Sequence, residues 1–412
     1  MSQLVVRRFG TLLSGTLVAQ MLPVLTAPLI ARNYDTGEFG VFGIFIAATA
    51  ILATLGNLKY DTAILAASSQ REVGIILSFC FVINIVIGVL IVAAAAFIYS
   101  RWLDLFGPPL VLVFLVPLSF VLSSGLQALS TVALQRELFT EVARSRMFGA
   151  TTMAALSVIA ALTYPTAAAL VLASIGGQLA GIASFVRTKQ FREATDLDFG
   201  RIKMVQVARR YWRFALFTSP ADLLNAFASN LPSLFLGAIY GPAATGAYVL
   251  TQRIVGTPLM LIGSAFSDLY RQKIGRLATI NEPYWTPTIR TIVPLLLLGM
   301  CALIFVVLFG YSLAVAFLGG QWIMVGEMVQ ILIFFYVVRF VASPITYMYY
   351  IKDRHSEDLA LQLISVFCGA LICFFAQYNS WSMLRYITFL SSYLSSIYIL
   401  YGFRSMMMAN EK

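Results

Sequence analysis

The chain has 412 residues, 28 Lys+Arg against 18 Asp+Glu and a formal net charge of +10; 60% of its residues are hydrophobic and 11% charged. Soluble domains run near ~45–50% apolar and ~25% charged, so this chain could not cover a water-facing surface, and a soluble multidomain enzyme is excluded. Twelve spans of ~20 residues would use ~240 residues and leave only short loops.

The basic residues sit in short clusters between apolar runs, so the positive balance points to membrane topology and no nucleic-acid partner is expected. One histidine, His355, excludes a multi-histidine metal site, and no P-loop or Rossmann glycine fingerprint is present, so no cofactor is expected. Cys80, Cys301, Cys368 and Cys373 all fall in apolar runs and read as buried small hydrophobes.

Arg7-Arg8 opens the chain like a secretory signal, but the apolar run 10–31 exceeds the ~7–15 residues of a signal core and reads as a retained first span. The predicted spans are 10–31, 39–58, 74–99, 109–131, 147–164, 167–186, 214–238, 244–270, 289–311, 326–350, 359–378 and 383–402. Breakers separate them at Asn33–Gly37, Gly107-Pro108-Pro109 and Gly241-Pro242. With the N-terminus inside, the cytoplasmic segments hold 23 Lys/Arg and the opposite ones three, Arg32, Arg101 and Arg385. That bias places both termini in the cytoplasm. Trp212, Tyr347, Tyr349 and Tyr350 near inner boundaries, and Trp102, Trp322 and Trp381 near outer ones, read as an aromatic belt.

The longest polar stretch, Arg187 to Arg213, looks like a linker, dividing the chain into an N-terminal bundle (1–190), a cytoplasmic linker (191–213) and a C-terminal bundle (214–412). The neighbours of that stretch suggest duplication. Leu22-Pro23 recurs as Leu231-Pro232, and Thr36-Gly37-x-Phe39 as Thr245-Gly246-x-Tyr248, all 209 residues apart. Six spans is an even number, so the halves share one orientation and are related by a pseudo-two-fold axis along the membrane normal. Transporters of this layout bind substrate between halves that rock against each other. The expected fold is all-α and integral to the membrane, with twelve transmembrane helices in two six-helix bundles. Pro23 and Pro28 in the first span, and Pro220 and Pro232 in the seventh, are matched helix breakers; Pro23 and Pro232 are the candidate hinges.

Charges within spans carry the strongest functional signal, since each costs ~2.5–3.5 kcal/mol or more to insert. Arg253, Arg339 and Asp222 lie deep in the eighth, tenth and seventh spans. They either face a wet cavity or are paired, and Arg253 and Asp222, on adjacent spans, could neutralise one another. Asp222 is also a candidate proton carrier, because burial raises a carboxyl pKa. Two arginines against one aspartate suggest a cavity of positive potential suited to an anion, and arginine forks match phosphate oxygens. Lys59, Asp61, Arg144, Arg146, Asp268, Arg271 and Arg290 lie toward the inner ends. Arg146 and Arg290 could form a basic entrance, with interface anchoring as the alternative. Asp268 with Arg271, and Glu141 with Arg144, have the spacing of local helical pairs. Gln20, Gln127, Gln178, Asn225, Asn230, Tyr60 and Tyr270 could bond sugar hydroxyls or neighbouring helices.

The pattern Ala19-Gln20-x-x-Pro23 … Pro28-Leu29-Ile30-Ala31-Arg32-x-Tyr34-x-x-x-Glu38-Phe39-Gly40, with Asp61-x-Ala63-Ile64 and the Gly320 and Trp322 pair after the ninth span, resembles polysaccharide exporters of the O-antigen flippase (Wzx) family. It is similar, more widely, to the superfamily of multidrug exporters and the lipid II flippase. The resemblance implies a substrate: an undecaprenyl-diphosphate-linked oligosaccharide moved from the cytoplasmic to the periplasmic leaflet of a bacterial inner membrane, beside an O-antigen polymerase. On this reading the substrate-binding residues are Arg253, Arg339, Arg146, Arg290, Lys59 and Gln20, and the candidates for H+ or Na+ coupling are Asp222, Asp61 and Asp268. A sugar hydroxyl placed unpaired in alkane costs ~4–8 kcal/mol, so a protein must carry the headgroup. An inside-negative potential favours outward movement of anions by ~2.3 kcal/mol per charge per 100 mV, and carboxylate-coupled antiport is the competing source of energy. The alternative function is a cation-coupled multidrug antiporter. A membrane enzyme is disfavoured by the short outer loops.

Overall fold

The computed structural model describes residues 3–67, 69–101, 110–188, 191, 197–279 and 282–410. Trp102, the Gly107-Pro108-Pro109 breaker and part of the basic central segment lie outside the described residues. Among those described, all regular structure is helical: α1 (Gln3–Asn33), α2 (Thr36–Ala53), α3 (Tyr60–Ala63), α4 (Gln70–Arg101), α5 (Leu110–Gln135), α6 (Phe139–Thr163), α7 (Ala167–Arg187), α8 (Arg201–Arg213), α9 (Ser219–Tyr240), α10 (Pro242–Thr251), α11 (Thr257–Thr279), α12 (Trp285–Leu318), α13 (Ile323–Ala342), α14 (Met348–Ile351), α15 (His355–Tyr378) and α16 (Met383–Asn410).

Eleven helical stretches are long and apolar enough to cross a membrane, and they coincide with the first eleven predicted spans. The twelfth, α16, has the length, 28 residues, but Tyr386, Tyr393, Tyr398, Tyr401 and five serines dilute its hydropathy. Several of those groups bond within the helix or to neighbours. Ser391 Oγ donates to Ile331 O at 2.9 Å and Tyr393 OH to Ser365 O at 2.5 Å.

The chain forms two compact units, Met1–Leu234 and Phe235–Lys412, with the division inside α9 just after Pro232. In the first unit α6 and α7 touch backbone to backbone. A Cβ on Gly149 would lie 2.9 Å from Gly177 O, and one on Gly177 only 2.7 Å from Gly149 O, the small-residue contact that lets membrane helices approach closely. Two acids near the start of α2 act locally here. Asp35 caps α2, its Oδ2 accepting from Gly37 N–H at 2.9 Å. Glu38 accepts from Ala167 N–H at 2.5 Å, supplying an acceptor and negative charge to the N-terminus of α7.

In the second unit α13 is the central helix. Its most apolar stretch is 61% buried, against 11% for α12, and Met328, Leu332 and Trp322 are enclosed. The outward Leu297, Ile304, Phe305 and Leu308 of α12 are more than half exposed, as a lipid-facing helix requires. Two belt assignments are corrected: Trp322 and Tyr349 are core residues, 0% and 1% exposed. Of the cysteines, Cys80 and Cys373 are buried as expected, Cys368 is half-buried and Cys301 is exposed on the apolar face of α12.

The repeated pattern folds alike twice. α1 with Pro23 turns into α2, and α9 with Pro232 turns into α10; Phe39 and Tyr248 are buried at equivalent positions. Both prolines sit in unbroken helices. Departures from α geometry lie elsewhere, among them the kink at Tyr211 and π turns at Phe214–Thr218 and Gln252–Gly256. Each π turn ends two residues before a proline, Pro220 or Pro258. A proline ring clashes with the carbonyl four residues earlier; those residues, Leu216 and Ile254, fall inside the π turns, where the widened helix makes room.

Candidate functional site

The charged residues fall into three groups. The first lies where α2 ends. Leu58 and Lys59 adopt left-handed backbone, φ 44° and 61°, and this reversal turns the short α3 against α5. Lys59 Nζ meets Asp222 Oδ2 of α9 at 2.5 Å, with side-chain exposures of 16% and 40%. Asp222 is therefore paired with Lys59, and not with Arg253 as adjacency of spans suggested. Asp61, 2% exposed, accepts from Gln127 Nε2 through Oδ2 at 3.0 Å, while its Oδ1 is buried without a partner. Burial pushes its carboxyl above the usual aspartate range, against the opposing pull of Lys59 and of the Gln127 hydrogen bond. One turn earlier on α5, Ser124 O accepts from Asn57 Nδ2 at 2.9 Å. Asn57 Oδ1 and Ser124 Oγ are likewise buried and unbonded. Three oxygens with no donor among the described residues thus sit on the seam between the α2–α3 turn and the 124–127 face of α5. Polar atoms so placed are costly unless something satisfies them.

A second group joins α1 and α6. Gly15 of α1 packs on Ala143, and Arg146 donates to Thr16 Oγ1 at 2.8 Å. Gln20 is exposed one turn further along α1. Glu141 and Arg144 form the local pair their spacing predicts, at 3.1 Å.

The third group lies in the C-terminal unit. A cavity of about 220 Å³ between α11 and α13 is lined by Asp268, Arg271, Ser264, Ser267, Tyr336 and Arg339, among others. At ~30 Å³ per water it holds about seven waters, enough for one phosphate or one sugar ring. Asp268 and Arg271 do not pair with each other among the described residues, contrary to their spacing. Both line the cavity instead, and Arg271 stacks on Tyr347 at 5.7 Å. Arg339 lies over Tyr398 at 5.6 Å, just before Pro344 tightens the helix to a 3₁₀ turn. The Tyr336 hydroxyl is buried and unbonded. Two guanidiniums against one carboxylate give the lining a net positive charge, and serine and tyrosine side chains share the wall. Arg253 is half-buried on the π turn one helical turn upstream, without an ion pair or hydrogen bond among the described residues, and is not in the lining. Arg290 is exposed at the start of α12, apart from this cavity.

Sequence reasoning missed Asn57, Ser124 and Tyr336. No charge marks them; the αL break at Leu58–Lys59 and the proline after each π turn are the signals that surround such positions. The intramembrane amides and phenols mostly bond other protein groups: Gln178 to Ser119 at 2.9 Å, Tyr270 with Thr288 at 2.9 Å, and Asn230 to Ala226 O at 2.8 Å.

Comparison with known proteins places this architecture. An inward-facing multidrug resistance MATE family transporter of the MOP superfamily is 15% identical, covering 95% of this chain and 94% of that one, with a TM-score of 0.70. The lipid II flippase MurJ, in an inward closed conformation, is 11% identical over 95% of this chain and 86% of its own, at TM-score 0.73. A MOP superfamily transporter from Pyrococcus furiosus, described as having a binding pocket of reverse polarity, is 14% identical over 98% and 95%, at 0.62. The chain therefore has the fold of the MOP superfamily. No match was found among the curated proteins. Residues 29–327 match the sequence profile of a family described as "Polysaccharide biosynthesis protein". With nearly three-quarters of its length so matched, this multi-pass membrane protein belongs to that polysaccharide biosynthesis family.

Proposed function

We propose that the protein is a flippase that carries an undecaprenyl-diphosphate-linked oligosaccharide, of the O-antigen repeat class, from the cytoplasmic to the periplasmic leaflet by alternating access. The observation that carries this reading is the cavity that Arg339, Arg271 and Asp268 line together with serine and tyrosine side chains. Its positive balance suits a diphosphate or an acidic sugar, its hydroxyls suit a glycan, and its volume suits one such moiety at a time. Membership of a polysaccharide biosynthesis family and the fold shared with MurJ and MATE transporters support it. The lipid tail stays in the bilayer, and the protein resides in a bacterial inner membrane with both termini cytoplasmic, next to the O-antigen polymerase. Arg253, Arg146, Arg290, Lys59 and Gln20 serve as further substrate contacts, and Pro23 and Pro232 as hinges.

For energy coupling to H+ or Na+, Asp61 is the stronger carrier on this reading. Its second carboxylate oxygen lacks a donor, whereas Asp222 is already held by Lys59. Cation-coupled multidrug antiport is the second reading, favoured by that same buried carboxylate and opposed by the cationic cavity.

The test is transfer of a fluorescent lipid-linked oligosaccharide between leaflets of proteoliposomes. Arg339→Ala should slow transfer at least tenfold, the scale of one charge-assisted hydrogen bond of ~1.5–3 kcal/mol, and Arg339→Lys should restore part of it. Transfer at the wild-type rate in Arg339→Ala/Arg271→Ala would end the cationic-cavity reading. Efflux of an organic cation without oligosaccharide transfer would select the antiporter.

A further inference from the structure

We propose that a groove between α8 and α4 binds an anionic phospholipid of the surrounding bilayer, its acyl chain in the groove and its phosphate on Arg209 and Arg213. Helix α8 is fixed to the protein along one side. Arg210 pairs with Glu72 at 2.9 Å, Tyr211 OH donates to the same carboxylate at 3.0 Å, and Tyr60 OH donates to Ala208 O at 3.3 Å. Just before the helix, Asp198 holds Lys203 and donates its N–H to Ser78 of α4 at 3.1 Å.

The other side of α8 carries exposed apolar residues. Ile202, Val205 and Trp212 are 77%, 45% and 45% exposed. Val205 and Trp212 line a groove of about 650 Å³ together with Phe79, Val82 and Met204, and among the described residues Arg209 is its one charged lining residue. Arg209 and Arg213 are one turn apart on the helix, and neither has an ion pair or hydrogen bond among the described residues. The other described basic side chains of the segment are different: Lys203 and Arg210 have carboxylate partners. The groove therefore combines an apolar trough with one unneutralised guanidinium in its wall, Arg209, and a second, Arg213, next to the lining residue Trp212.

Its surroundings identify the occupant. Apolar exposure continues from Trp212 through Leu216 and Phe217, 56% and 64% exposed, into the membrane-crossing α9. The helical stretch 202–240 has 39 residues, a contour of about 58 Å at 1.5 Å per residue that is kinked at Tyr211, where φ is −109° and ψ 16°, against ~30 Å of hydrocarbon. Its basic first part therefore reaches out of the hydrocarbon, and α8 lies at the boundary where headgroups are found. A basic amphipathic helix at that depth, with tryptophan among its apolar residues, matches a lipid whose phosphate carries net negative charge. A zwitterionic lipid fills the trough equally well but leaves the two charges uncompensated.

Trp212 reports on the groove directly. The protein is reconstituted in nanodiscs with increasing fractions of phosphatidylglycerol or phosphatidylcholine carrying brominated acyl chains, which quench tryptophan on contact. Subtracting the Trp212→Phe signal removes the other four tryptophans. Trp212 quenching should half-saturate at a lower mole fraction of phosphatidylglycerol than of phosphatidylcholine. Each basic residue at an anionic surface contributes about fivefold in binding, so the preference should approach ~25-fold. Arg209→Gln/Arg213→Gln should abolish the preference while leaving quenching by phosphatidylcholine unchanged, which also verifies that the groove is still folded. Equal half-saturation by the two lipids in the unmutated protein overturns the proposal. So does displacement of brominated phosphatidylglycerol by an equal fraction of undecaprenyl phosphate, which would make the groove a substrate site.

Discussion

Removing Lys59 should destabilise the protein more than removing its partner Asp222, although the two form one ion pair. Solvent-exposed pairs contribute ~0.2–1 kcal/mol, and breaking a buried pair costs ~3–5 kcal/mol. With side-chain exposures of 16% and 40%, the Lys59–Asp222 coupling belongs between these, at about 1–2 kcal/mol. The neighbour makes the single costs unequal. Asp61 is buried and feels Lys59 as its nearest counter-charge. Asp222→Asn leaves the ammonium free to serve Asp61 and should cost about 1 kcal/mol. Lys59→Met strands Asp61 as well as Asp222 and should cost about 2–3 kcal/mol, below the ~3–5 kcal/mol of a fully buried pair because Asp222 is 40% exposed. A double-mutant cycle by reversible unfolding in mixed micelles measures both quantities. The charge-reversed Lys59→Asp/Asp222→Lys should recover less than half the loss, because it sets two carboxylates side by side in the α2–α3 turn. Equal costs for the two single changes, or a coupling below about 0.3 kcal/mol, would refute this account.

Asp61 also predicts a pH dependence. Its carboxyl is raised in the folded state, so the native protein binds the proton more tightly than the unfolded chain, and its contribution to stability falls as pH rises from the unfolded value through the raised one. The stability difference between the unmutated protein and Asp61→Asn should therefore shift against the unmutated protein with rising pH; a difference that stays flat from pH 4 to 7 contradicts this. Gly177→Ala should lower stability by about 1–3 kcal/mol in thermal unfolding, because the added carbon meets Gly149 O and Met153 Cβ below 3.0 Å. Glu38→Ala should cost about 1 kcal/mol through the lost cap of α7, and an unchanged melting temperature would place the Ala167 N–H bond outside the folded ensemble.

The spans were legible in the sequence because apolar runs and breakers are local. Asn33–Gly37 and Gly241-Pro242 end helices for reasons contained in those residues. The last helix was read correctly although its tyrosines and serines lower its hydropathy, because its charges, Arg385 and Arg404, lie near its ends. Pairings were not legible. Lys59 and Asp222 are 163 residues apart in sequence, and only the left-handed turn at Leu58–Lys59 brings the amine round to α9. Asp268 and Arg271 misled in the opposite direction. Their spacing permits a local pair, but a cavity wall offers each side chain other neighbours. Arg339 was marked as functional by the cost of burying charge, and it lines the cavity; the same cost applied to Arg253 did not distinguish the cavity from a neighbouring half-buried position.

The π turn at Gln252–Gly256 sets the azimuth of everything beyond it. One extra residue in a helix advances the following side chains by about 100° relative to a continuous α-helix. Asp268 and Arg271 reach the wall that Arg339 also lines because of an insertion three to four turns away, pinned in place by the ring of Pro258. The charge pattern of the cavity is thus a matter of helical phase, written into a backbone turn whose last residue, Gly256, is itself part of the cavity wall.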